Sequence, residues 1–301
     1  MAIRSAWRPP PTPSLIDAVL EIPPFTLRLR SPFASVAQHV QAFYGDARVT
    51  DGHGRFIDFD LQVLPGRLHR RLWRPQARFL LDGVEPFHPL PAAQAAPMLE
   101  WGLNWCVAQR AMGYLVMHAA VVARGDAAIM MPGMPGAGKS TLCASLVHLD
   151  GWRLLSDELA ILDPADGLLR PHPRPISLKN HSLPIVQAMP GARLGPVYTD
   201  TRKGTIGHAA APAPAWAEAT RPAAVRWVLF PRFEAGAAAA AEEIGRAEAF
   251  ALISEQSFNR ERMGEPGFDA LCALLDGARC FEIRHGDTDG GLRLVRQLCV
   301  P

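Results

Sequence analysis

A chain of 301 residues, 49% of them hydrophobic, has length for one large domain or two modest ones and enough apolar mass for a core. Its formal charge of +2 argues against electrostatic specialisation for nucleic acid, and its five cysteines (Cys106, Cys143, Cys272, Cys280, Cys299) form neither a C-x-x-C pair nor a His-flanked cluster, which argues against zinc and a disulfide framework. No run approaches the ~18 apolar residues of a membrane span, and Arg4 and Arg8 lead into Pro9-Pro10-Pro11 rather than an apolar segment, so the expectation is a cytoplasmic protein with no nucleic-acid or membrane partner.

Residues 1–24 are Pro-rich and read as irregular. Phe25–Arg30 and Phe56–Val63 alternate apolar and polar residues, and Ala77–Asp82 is a third strand candidate ending in an Asp82-Gly83 turn. These predict a small, mostly antiparallel β unit before residue 90. Ala92–Met112, with Leu99, Leu103, Cys106 and Val107 on one face, predicts an amphipathic helix. From Tyr114 to Ala123 the chain is apolar with one histidine, His118. The Pro- and Gly-rich stretch 164–222 reads as active-site loops or disorder. Strands are expected at 224–230 and 279–283 and helices near 246–257, 267–276 and 288–298, with nothing assigned to the Ala-rich 237–241.

The stretch Gly133-Met134-Pro135-Gly136-Ala137-Gly138-Lys139-Ser140-Thr141 fits G-x-x-x-x-G-K-[ST]. Glycines let backbone N–H groups turn inward on a chain of phosphates, Lys139 brings a flexible charge, and Ser140 can place a hydroxyl on Mg²⁺. The apolar run Ala127–Met131 before it and the breaker-free Thr141–Val147 after it predict the strand–loop–helix setting the motif needs. Nucleotide binding follows, with Gly133, Pro135, Gly136, Ala137, Gly138, Lys139, Ser140 and Thr141 as the cradle.

Asp157 and Glu158 follow Leu154-Leu155, so a strand delivers two carboxylates to its carboxyl end, where ligands sit in an open α/β sheet. One acid beside the loop can hold Mg²⁺, and another can take a proton from an attacking hydroxyl. Lys139 and Asp157 are 18 residues apart, room for one helix and a return strand. Typical GTPases and transport ATPases place the metal-binding acid farther along, and the chain has neither N-K-x-D nor L-S-G-G-Q. Arg174, Lys179, Arg202 and Lys203 fall in the irregular stretch and are candidate phosphate- or substrate-clamping cations.

His118, the loop at 133–140 and Arg153-Leu154-Leu155-Ser156-Asp157-Glu158 together resemble the catalytic domain of bacterial HPr kinase/phosphorylase. Arg174–Asn180, Lys203-Gly204 and Ser257-Phe258-Asn259 look like its divergent HPr-kinase-related kinase A subgroup, similar to kinases that phosphorylate serine in lasso-peptide precursors. The resemblance covers about 114–301. It implies an α/β fold: a P-loop domain of the HPr kinase / PEP carboxykinase-like kind with a mixed sheet at 114–301, preceded by a small β-containing domain at 1–113. It further implies that Asp157 is the general base, that His118 sits near it, and that Glu158, where the family has a second Asp, joins Ser140 and Asp157 at the metal. No convincing counterpart of the family's partner-binding acidic and glycine-rich stretch is present, which weakens the case for HPr as the substrate and for phosphorolysis and leaves both open.

The function expected is thus an ATP- and Mg²⁺-dependent kinase acting on a hydroxyl, a serine of a peptide or small protein. A small-molecule kinase and a non-catalytic nucleotide-dependent switch are the alternatives. The family forms rings, which admits a homo-oligomer, although nothing in the sequence demands one.

Overall fold

A computed structural model describes residues 14–50 and 54–300; the expectation for residues 1–13 lies outside them. The first elements are β1 (Ile16–Ile22), β2 (Phe25–Ser31), α1 (Ala34–Tyr44), β3 (Arg48–Thr50), β4 (Phe59–Pro65), β5 (Gln76–Leu81), β6 (Leu90–Pro91) and α2 (Ala95–Arg110). The strands form one sheet in the order β3-β1-β2-β4-β5-β6. Its pairs are antiparallel except β2 with β4. The strands expected at 25–30, 56–63 and 77–82 are present. β1 corrects the reading of residues 16–22 as irregular: Ile16, Ala18, Leu20 and Ile22 alternate with Asp17, Val19 and Glu21, a period the surrounding prolines concealed.

One face of this sheet is buried under both helices. Leu27, Leu29, Leu61, Val63 and Phe79 pack with Val36 and Val40 of α1 and with Leu99, Leu103 and Val107 of α2. Each such side chain contributes about 1.5–3 kcal/mol by leaving water. Gly102 lets α2 approach β5 closely, because a Cβ there would lie 2.2 Å from the Phe79 ring.

The chain continues through β7 (Leu115–Met117), β8 (Ala119–Arg124), β9 (Ala127–Pro132), α3 (Lys139–Leu149), β10 (Arg153–Ser156), β11 (Ala160–Asp163), β12 (Leu168–Arg170), β13 (Ile176–Lys179), α4 (Ser182–Gln187), β14 (Tyr198–Thr201), β15 (Gly204–Ala209) and α5 (Ala213–Ala217). It closes with β16 (Ala224–Phe233), β17 (Ala240–Glu243), α6 (Arg246–Glu255), α7 (Arg260–Met263), α8 (Glu265–Asp276), β18 (Arg279–His285) and α9 (Thr288–Leu298). A second sheet runs β10-β8-β9-β16-β18-β17, with parallel and antiparallel pairs. Two three-stranded sheets, β12-β11-β7 and β13-β15-β14, complete a mixed α/β fold.

The strands β8 and β9 of the second sheet are covered on both faces, which is why they read as unbroken apolar runs. Val122, Ile129 and Met131 pack with Leu142 and Leu146 of α3 and Val295 of α9. The alternate residues Val121, Ala128 and Met130 pack with Ile253 of α6 and Leu271 of α8. Residues 164–222, expected as loops or disorder, hold β12 to β15 and two short helices; their strands are only three to six residues long, too short for a period to show.

Candidate active site

Strand directions fix where the chemistry-bearing residues gather. β9 lies parallel to β16, and β16 to β18. β8 is antiparallel to both β9 and β10, so β10 also runs with β9. The carboxyl ends of β9, β10, β16 and β18 therefore share one edge, which carries Gly133, Asp157, Glu234 and Gly286 as the first residues beyond them.

Residues 133–138 link β9 to α3, the setting expected for the motif. Gly133, Gly136 and Gly138 all have positive φ, +150°, +93° and +90°, a backbone that L side chains rarely adopt. Met134, Pro135 and Gly136 form the exposed crest. Ala137 N–H closes onto Met134 O at 3.2 Å. Lys139 opens α3 and is 7% exposed. Its Nζ donates to Gly133 O and, at 3.1 Å, to Met134 O, so the ammonium folds back over the loop. Burial lowers its pKa, a shift that Asp157 and Glu158 oppose and nearby Lys179 reinforces. Ser140 and Thr141 follow on the first turn, and Thr141 O accepts from Ser145 Oγ.

Asp157 is 3% exposed at the end of β10, just after a register irregularity between Leu154 and Ser156 that re-aims the strand end. Its Oδ2 accepts from Ser140 Oγ at 3.1 Å and from Ser177 N at 2.9 Å, while Oδ1 has no protein partner. Burial, then the neighbouring Glu158 charge, push its carboxyl up from 3.8 to about 7, against the two hydrogen bonds and Lys139. A buried carboxyl poised near neutrality fits proton transfer at pH 7. Glu158 lines the same cleft and accepts from Asn104 Nδ2 of α2.

His118 occupies the break between β7 and β8. Its N–H donates to Gln256 O at 2.7 Å and its ring lies 6.0 Å from that of Phe258. Burial and then Lys139 lower its pKa, with Glu158 opposing. It shares the field of the loop and the acids, but its hydrogen bonds are to Gln256 rather than to either carboxylate. Asn259 stitches the neighbouring segment to β7, accepting from Val116 N at 2.9 Å and donating to Tyr114 O at 2.8 Å.

Of the four candidate cations, Lys179 is the one coupled to Lys139. Arg174 is not a free clamp on a mobile loop: it is 7% exposed and its guanidinium donates to Glu100 Oε2 at 2.6 Å, to Glu100 O at 2.9 Å and to Asn104 Oδ1. Glu100 also accepts from Tyr44 OH at 2.8 Å and pairs with His39 Nε2 at 2.7 Å. Burial alone would raise the Glu100 carboxyl, but Arg174 and His39 hold it well below its ordinary value. Arg202 and Lys203 lie in the turn between β14 and β15, with Lys203 Nζ 5.4 Å over the Trp101 ring.

The helix carrying Glu100, Trp101 and Asn104 thus reaches the acids, a role the sequence reading missed. Its only signal was a Glu and an Asn four residues apart beside the apolar face. Together with Ser156, Pro175, Ser177 and His208 these residues wall a cleft at Asp157 whose enclosed space, about 10 Å³, admits roughly one water.

The fold and site describe a mixed α/β protein with a glycine-rich strand–loop–helix and a buried acid at one sheet edge. No protein-family model matches the chain, and no curated protein matches it at significant similarity. Among the described residues, no helix is long and apolar enough to cross a membrane, and no three His, Cys, Asp or Glu side chains converge on a metal position.

Proposed function

We propose that this chain is an ATP- and Mg²⁺-dependent kinase of the HPr kinase-like kind, transferring the γ-phosphoryl group to a serine hydroxyl of a peptide or small protein. In this reading residues 114–301 are the P-loop catalytic domain and residues 1–113 a separate β-rich domain. The observation that carries it is Asp157: a buried carboxyl, pushed up to about 7, hydrogen-bonded to Ser140 of the loop. That pairing sets a proton acceptor beside the group that would face the phosphates.

The roles follow from the side chains. Backbone N–H groups from Gly133 to Thr141 and the amino end of α3 receive the phosphate oxygens. Lys139 exchanges the Gly133 and Met134 carbonyls for phosphate oxygens. Asp157 keeps Oδ2 on Ser140 and Ser177, and Oδ1, with no protein partner, takes the serine proton as the oxygen attacks phosphorus and the bond to ADP breaks. His118, whose pKa burial and Lys139 lower, stands in the field of the loop and the acids as a supporting group.

Ser140, Glu158 and Asp157, whose Oδ2 already lies on Ser140 Oγ, are the residues that would hold Mg²⁺; oxygen donors beside the phosphate loop suit such a hard cation, and Oδ1 stays open for the proton. When bound, Mg²⁺ neutralises charge across the β- and γ-phosphate oxygens. The test is transfer from γ-labelled ATP with Mg²⁺ to serine peptides, beside Asp157→Asn and Lys139→Ala. Expected are label on serine, loss of label with retained nucleotide binding in Asp157→Asn, and loss of both in Lys139→Ala. Undiminished transfer by Asp157→Asn, or tight ATP binding with no transfer to peptides or metabolites, would sink the reading; the latter leaves the nucleotide-dependent switch.

A further inference from the structure

α2 presents two adjoining stripes of side chains. Glu100 and Asn104, one turn apart, face Arg174 and Glu158. Met98, Trp101 and Trp105, rotated roughly 60° or more around the helix at 3.6 residues per turn, line a second cavity of about 720 Å³. Trp101 belongs to both spaces: it borders the cleft over Asp157 and the larger cavity. The facing wall is Phe87 and Leu90, interleaved with Pro86 and Pro89, which offer no N–H, and the Phe87 ring packs edge-on against Trp105 at 5.2 Å.

The charge at this cavity has one sign left over. Glu85, the only acid among the described residues that line it, is bound by Arg67 at 2.7 Å and by Arg78. Arg202 and Lys203, on the opposite rim, have no hydrogen-bonded or ion-paired acid among the described residues; Lys203 rests on the Trp101 ring and feels the Glu158 charge from the cleft. Both are exposed. An apolar basin with two cations on its lip, neither of them directly paired with an acid, complements a ligand that is apolar at one point and acidic at another.

We propose that this cavity is the docking groove for the polypeptide bearing the acceptor serine, and that the occupant carries a large apolar side chain and an acidic residue close to that serine. The proposal rests on the kinase reading of the cleft. Neighbouring stripes on a helix lie about 5–6 Å apart, and an extended chain advances about 3.3 Å per residue. The apolar anchor therefore falls about two residues from the serine, with the chain passing around the Trp101 indole. A compact metabolite in the cleft would leave the cavity unfilled.

The test is a positional-scanning library of serine-centred peptides, read for binding to the nucleotide-free chain and, separately, for label from γ-labelled ATP. Binding should select Phe, Trp or Leu at one position and Asp or Glu at another, each by about tenfold or more. Trp105→Ala should erase the apolar selection. The exposed pair Arg202→Glu with Lys203→Glu should turn acidic selection into basic selection without moving the melting temperature, so a folding defect in Trp105→Ala does not decide the matter. Binding without either selection, or selections unchanged in both variants, overturns the groove. Label on serines irrespective of neighbours leaves the kinase and removes the groove. Both selections in binding without label from ATP leave the groove and remove the kinase.

Discussion

Asp157→Asn tests whether the buried carboxyl carries the electrostatic burden that its surroundings impose. Its native pKa, about 7 against an ordinary 3.8, means that the folded protein holds this proton over a range where the unfolded chain has released it. Native-state stability therefore falls as pH climbs from about 4 to about 7 and levels off beyond, by about 4 kcal/mol at 1.36 kcal/mol per unit. Asparagine can keep its oxygen on Ser140 and Ser177, the two donors to Oδ2. Its NH₂ then replaces Oδ1, which has no protein partner, at a cost of about 1–3 kcal/mol. Near pH 8 the variant should be more stable than the parent by about 1–3 kcal/mol. Near pH 4 it should be less stable by a similar amount. With roughly 2–4 °C of melting temperature per kcal/mol, thermal melts across pH without nucleotide or Mg²⁺ resolve the crossing. A melting difference that stays flat between pH 4 and pH 8 refutes the reasoning, and with it Asp157 as a base poised near neutrality.

Three further outcomes are expected. Glu100→Gln leaves Arg174 buried without its counter-charge, so denaturant unfolding should show a loss of about 3–5 kcal/mol, and adding Arg174→Met should recover part of it. Gly102→Ala places a methyl 2.2 Å from the Phe79 ring; overpacking should cost about 1–3 kcal/mol in the same measurement, and adding Phe79→Leu should relieve it. Gly138→Ala meets both a φ of +90° and the Phe233 Cβ at 3.0 Å. Calorimetric ATP affinity should therefore fall by about tenfold or more, through roughly 1–3 kcal/mol of backbone strain in the cradle.

The parts of this molecule that could be read from sequence are those whose physics is local. Three glycines at the spacing of a phosphate loop let the backbone turn inward on phosphates, and Gly133, Gly136 and Gly138 have the positive φ such a turn uses. Leu154-Leu155 before two acids announces a buried strand ending in charge, and β10 is one. What escaped notice depends on partners far along the chain. Arg174 meets Glu100, 74 residues away, and Asn104 meets Glu158, 54 away; a helix judged by its apolar face says nothing of such bonds. β17 escaped for a different reason, since all four of its residues are exposed and no burial pattern marks them.

The pairing of β9 with β16 joins Ala127 to Ala224, roughly a hundred residues apart, and the phosphate loop, Asp157 and Glu158 lie in the chain between them. Closing a loop of that length costs about 4 kcal/mol of chain entropy by (3/2)RT ln n, whereas β8 and β9 meet across a two-residue turn. During synthesis, therefore, the β8–β9 hairpin is complete long before its parallel neighbour emerges. Until residue 224 arrives, β9 presents Ile129, Met130 and Met131 along a bare hydrogen-bonding edge, an invitation to strands from other chains. Fragments ending before β16 should collect in inclusion bodies, and expression yield should follow how quickly the ribosome delivers that strand.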